Sequence, residues 1–182
     1  MGEPRISGAF VRDQLAVYEE MVGAVTLQQA FAALGADRQE LEGVLPIGWV
    51  RLSLYNAFLA EVARITGREL LTMDAEAMRR GAERTFSTLW RVLLRLTTDN
   101  ALITRTPTFY SKGFDTGTLT AKVPSPGRAE VELTGFPAIS DVDLQGVRIT
   151  IETVLRLAGR KDVRGTHQRT ASGGTFVATW KS

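Results

Sequence analysis

Apolar residues recur at helical spacing through most of the first hundred positions. Leu15, Tyr18, Met21 and Val22 lie on one helical face, and Gly23 is placed to end that helix. Leu27, Ala30, Phe31 and Leu34 repeat the pattern up to Gly35, and Pro46 opens a longer segment. There Leu54, Tyr55, Phe58, Leu59, Val62 and Ile65 make one wide apolar stripe that Gly67 closes. Asp74 has the residue type of an N-cap for the next helix. Gly81 weakens that helix by about 1 kcal/mol relative to alanine. Phe86, Leu89, Trp90, Leu93 and Leu94 predict a further, strongly apolar helix.

The period changes near Pro107. Residues 118–123 and 129–134 alternate apolar and polar, and Pro124-Ser125-Pro126-Gly127 separates them, which predicts a β-hairpin. Gly135 and Pro137 break the second strand. Ser140 then caps a helix, with Asp143 three residues on in the capping-box position. The buried stripe of that helix is Leu144, Val147, Ile151, Val154, Leu155 and Ala158, and Gly159 ends it. A second hairpin spans 162–170 and 175–181 around Ser172-Gly173-Gly174. The expected fold is α+β, with an N-terminal helical part packed on a four-stranded antiparallel sheet built from two hairpins with an intervening helix. We expect one domain over 1–182, mainly helical over 1–106 and hairpin-helix-hairpin over 107–182. A helical half and a four-stranded sheet each need the other's apolar face.

Length and composition agree with one domain that needs no staples. The chain has 182 residues, 44% hydrophobic and 23% charged, and no cysteine. The missing thiol excludes disulfides, thiol nucleophiles and cysteine-ligated metals, and suits a cytoplasmic protein. No apolar run reaches the ~20 residues of a membrane span. The start, Met1 to Ser7, lacks the pattern of a secretory signal. Net charge is +2, so no whole-protein field draws the chain to nucleic acid. The segment from Arg160 to the end carries net +4, which reads as a solvated face of terminal strands.

Candidate chemistry is sparse. His167 is the one histidine, and it falls in a strand. Ser111, Ser125 and Ser172 have no Gly-x-Ser-x-Gly elbow around them. Asp141 and Asp143 sit where a helix start favours negative charge. Ser172-Gly173-Gly174 is followed by neither a helix nor a lysine, so it makes no phosphate cradle. The residues therefore point away from an enzyme and predict no cofactor and no metal. The aromatic residues Tyr55, Phe58, Trp90, Phe109, Tyr110, Phe136 and Trp180 form either ordinary core or the wall of an apolar pocket.

The second half resembles a known superfamily. Phe109-Tyr110-Ser111-Lys112-Gly113-Phe114-Asp115-Thr116-Gly117 looks like a helix handing over to a sheet. The hairpin, Gly135-Phe136-Pro137, the helix with Gly146, and a closing hairpin ending Thr175-Phe176-Val177-Ala178-Thr179-Trp180 follow it. This order is similar to the four-vinyl-reductase domain and its relatives, the haem nitric-oxide-binding domains and the vesicle-tethering TRAPP subunits. It is most similar to a paralogous family of myxobacterial proteins of unknown function. The resemblance covers residues 85–182 well and the first half in outline.

Such relatives place a pocket between helices and sheet, for small molecules, haem or acyl chains, and many dimerise through helices. On that basis Tyr55, Phe58, Trp90, Phe109 and Tyr110 are the expected ligand-binding residues. The cavity is expected near Trp90 and Phe58, with the small Ala57 and Ala60 beside it. The resemblance does not bring haem or metal with it. Thr175 stands where four-vinyl-reductase relatives place a cysteine. Tyr110 runs directly into Ser111, where haem-binding relatives have Tyr-x-Ser-x-Arg. The expected function is a non-catalytic binding module in signalling or regulation, for a small apolar ligand or a protein partner. The alternative is a homodimeric scaffold without a pocket. A homodimer is expected through the N-terminal helices, because Phe10, Val11, Tyr18 and Phe31 compete for a sheet with room for only some of them.

Overall fold

The computed structural model describes residues 2–85 and 94–181. The expected helix over 86–94 therefore lies almost wholly outside the described residues, and Trp90 with it. The chain forms two compact units. One is Met1–Ala77 with Lys112–Asp115, and the other is Met78–Ser111 with Thr116–Ser182.

The first unit opens on a strand that the helical pattern does not announce. β1 (Arg5–Ser7) pairs antiparallel with β2 (Trp49–Arg51), setting Ile6 opposite Val50, and both side chains are buried. Ser7 ends the strand and caps α1 (Gly8–Val22) by accepting from the Phe10 amide at 3.3 Å. Two more amides at this helix start, which have no partner inside the helix, donate to the turn before β2. Gly8 N reaches Gly48 O at 2.8 Å and Ala9 N reaches Pro46 O at 3.1 Å. A Cβ on Gly8 would stand 2.1 Å from Leu45 O, so only glycine allows this approach.

Gly23, at φ 85°, separates α1 from α2 (Ala24–Ala33). A 3-10 turn and α3 (Arg38–Glu42) lead to β2, and α4 (Leu52–Thr66) ends at the left-handed Gly67. α5 (Leu70–Thr85) runs from this unit into the next. Asp74 does not cap it. Glu69 does, taking the Leu71 and Thr72 amides at 2.9 and 2.6 Å. Asp74 lies a turn further in, buried, and accepts the Tyr18 hydroxyl at 3.0 Å. A buried hydroxyl in reach outweighs the preference of aspartate for helix starts.

The second unit contains α6 (Asp99–Ile103), most of α7 (Thr106–Gly113), and a four-stranded antiparallel sheet of spatial order β3-β4-β6-β5. The hairpins are β3 (Thr118–Ser125) with β4 (Arg128–Thr134), and β5 (Lys161–Thr170) with β6 (Gly173–Lys181). The α+β architecture read from the sequence is thus present, with α8 (Asp141–Leu157) between the hairpins. Strand alternation buries Leu119, Ala129, Val131, Leu133, Phe176, Ala178 and Trp180 on one face. The capping box at α8 is complete. Ser140 Oγ accepts from the Asp143 amide at 3.1 Å, and Asp143 accepts from the Ser140 amide at 3.3 Å.

Polar ties complete this unit. Asp99 accepts the Trp180 indole at 3.1 Å and Arg160 Nε at 2.8 Å. Glu152 on α8 is buried and receives Arg148 at 2.5 Å, Arg156 at 2.7 Å and the Gly165 amide of β5 at 3.1 Å. Three of the five basic residues of the C-terminal segment stand in ion pairs. Arg160 pairs with Asp99, Arg169 with Asp141 and Lys181 with Asp162.

Candidate functional site

The expected ligand-binding residues fall into both units. On α4, Phe58 stacks on Phe31 with centroids 4.9 Å apart and meets Tyr18 edge-on at 6.3 Å. Tyr55, one turn earlier, meets Phe10 edge-on at 6.5 Å. Burial, with Tyr55 and Asp74 close by, pushes the Tyr18 hydroxyl far above the usual tyrosine range. These rings fill the core of the first unit. Ala57 and Ala60 are exposed on the opposite side of α4, so neither stands beside a pocket. Val11, Tyr18 and Phe31 are buried within their own unit, and Phe10 is partly covered. Three of the four side chains named for a dimer interface are thus taken up by packing within the first unit, and Phe10 remains partly exposed.

Phe109 and Tyr110 lie on α7 in the second unit. The Tyr110 hydroxyl donates to Thr116 O at 2.8 Å, and its ring is buried. Phe109 is 45% exposed and stands at the mouth of an apolar cavity of about 60 Å³. The floor is Leu102, Ile103, Ile151 and Leu155, all buried; the rim is Thr106, Phe109, Thr150 and Val154, all at least partly exposed. The Thr150 hydroxyl donates back to Gly146 O of its own helix at 2.9 Å, so the wall it contributes is its methyl. The pattern had marked Ile151, Val154 and Leu155 as a buried helix face. It missed Leu102 and Ile103, which lie on a five-residue helix too short to show a period. A wider depression of about 410 Å³ lies open on the sheet, with Thr120, Lys122, Glu130, Glu132 and Thr175 among its lining residues. Hydrogen bonds from Arg128 and then Lys122 hold the Glu130 carboxyl below its usual range.

His167 is on β5, half-buried, with its ring 6.3 Å from Phe176. Burial first, and then the charge of Arg148, lowers its pKa. Among the described residues no three histidine, aspartate or glutamate side chains are placed to hold a metal. Among them, too, no helix is long and apolar enough to cross a membrane.

No protein-family profile matches the chain, and no curated protein does. Solved structures do. A variant of the T. tengcongensis H-NOX superposes with a TM-score of 0.68 at 14% identity, covering 97% of this chain and 98% of that one. An oxygen-binding H-NOX domain related to soluble guanylate cyclases, in its oxygen complex, gives 0.67 at 12% identity over 97% and 95%. A structure probing the function of heme distortion in the H-NOX family gives 0.68 at 12% over 97% and 95%. The fold of this chain is therefore the H-NOX fold, one of the resemblances read from the sequence.

Haem is the group this fold implies, and the residues present do not fit it. An axial imidazole can come only from His167, which sits on an edge strand of the sheet. There is no cysteine, the Tyr18 and Tyr110 hydroxyls are engaged with Asp74 and Thr116, and Tyr55 is buried edge-on against Phe10 in the core of the first unit. Residues 86–93 hold no histidine, cysteine, tyrosine or methionine in sequence.

Proposed function

We propose that this chain is a non-catalytic binding module of signalling or regulatory type. In this reading it acts as one cytoplasmic domain, takes a small apolar ligand or a protein partner, and works without haem. The observation that carries the reading is a fold shared over 97% of the chain with an oxygen-binding H-NOX domain. The donor set supports the haem-free part, since the one imidazole is held on a strand beside Arg148 and Arg169. Of the expected ligand-binding residues, Phe109 has the strongest support, because it lines an apolar cavity.

A homodimeric scaffold is the second reading, and one observation favours it. The turn before β2 is fixed by Gly48 N on Leu45 O at 2.9 Å and by its bonds to α1. It holds Leu45, Ile47 and Trp49 in solvent, Ile47 at 89% exposure. Native mass spectrometry of protein purified from its own host separates the readings. A retained small molecule is expected for the module, and a clean dimer mass for the scaffold. A bare monomer contradicts the scaffold and the small-ligand form of the module, and leaves a protein partner as what the module binds. Absorption spectra after growth with added haem should show no Soret band that survives dialysis; a stoichiometric one overturns the haem-free reading.

A further inference from the structure

The cavity between α6–α7 and α8 has a specific size and chemistry. Its floor is four buried aliphatic side chains, and the one rim hydroxyl that is engaged, that of Thr150, is turned away onto Gly146 O. A cavity so lined offers water almost no hydrogen-bond partners and tends to stay dry. Its volume of about 60 Å³ exceeds the ~10–15 Å³ that one water needs and is under half of the ~150 Å³ that admits benzene. The mouth is not sealed. Phe109 at 45% exposure and the partly exposed Val154 flank the way in.

The geometry points to a binding site for a small hydrocarbon of up to about three carbons, entering beside Phe109. This deepens the proposed binding function and rests on it, since it names the place and size class of the ligand. No polar group of the ligand is read here, so selectivity is by volume. A larger apolar molecule seats only in part, and a polar one loses its hydrogen bonds to water without replacement.

The test is methyl NMR of the full chain under xenon, a monatomic apolar probe of suitable size. The expected result is a saturable shift of the Leu102, Ile103, Ile151, Val154 and Leu155 methyls, with the methyls of α4 unmoved. Val154→Phe fills the cavity from its rim and should abolish the saturable shift while the remaining spectrum stays native. If that variant does not fold, Thr106→Leu, from the half-exposed side of the mouth, carries the same expectation. Shifts that rise linearly with pressure, shifts confined to other methyls, or saturation that persists in the filled variant overturn the site. A host-derived ligand that displaces no xenon from these methyls overturns the site and leaves the binding function standing. A protein that takes xenon here yet comes from its host bare and monomeric overturns the small-ligand function and leaves the site.

Discussion

Replacing Gly165 with alanine is the most searching perturbation of the second unit. The added Cβ would stand 2.6 Å from Glu152 Oε1, 2.8 Å from Glu152 Cγ and 3.1 Å from Arg148 Cγ. Glu152 cannot retreat cheaply. Its side chain is 9% exposed and holds Arg148, Arg156 and the Gly165 amide together. Breaking a charged hydrogen bond costs about 1.5–3 kcal/mol when the group is buried. Arg156 is 44% exposed and also donates to Val163 O, so its share is discounted for solvent. Gly165→Ala should therefore cost about 2 kcal/mol, and Glu152→Ala about 2–4 kcal/mol. The informative quantity is their coupling. Once the carboxylate is gone the Cβ meets only the flexible Arg148 side chain, released from its ion pair, so Gly165→Ala in the Glu152→Ala background should cost under about 1 kcal/mol. Urea denaturation of the four proteins in the cycle measures this. Additive costs would refute the claim that the glycine is there to admit the carboxylate.

Three further outcomes follow from the geometry. Tyr18→Phe should cost about 1–3 kcal/mol in thermal or urea unfolding, because it takes a donor from the buried Asp74; a neutral result contradicts the bond. His167 has a folded pKa below its ordinary 6.5, so the unfolded chain binds its proton first as pH falls. Its contribution is full above about pH 6.5 and is lost as pH falls through the folded value. His167→Gln should flatten the melting temperature between about pH 7 and 5.5, and should spare any ligand binding. Ala57→Leu, on an exposed helix face, should change stability by less than about 0.5 kcal/mol; a large loss would place Ala57 in a core.

The second half was the more legible in sequence, for a physical reason. The capping box at Ser140 and Asp143, the alternation in β3 and β4, and the chain reversal at Ser172 are local signals that act within a few residues. The structure realises each of them, moving the hairpin ends by two residues or fewer. β1 and β2 were illegible because three-residue strands show no period and pair across 44 positions. Asp74 was misread because its partner, Tyr18, lies 56 residues away. The candidate site was legible in part. Phe109 follows from aromatic placement, and the α8 wall from helical spacing, whereas Leu102 and Ile103 come from a helix of five residues.

The strand order of the sheet has a consequence for biosynthesis. β6 is made last of the four strands, yet it lies between β4 and β5 and joins the two hairpins. Until it emerges, β4 offers one bare edge, carrying Val131 and Leu133, that any other extended chain can pair with. The same strand brings Trp180 to Asp99, 81 residues earlier. A ribosome that stalls before residue 173 thus releases a chain with α8 and one hairpin complete but no closed sheet. Quality control should see that product as an aggregation hazard rather than as a slightly shorter domain.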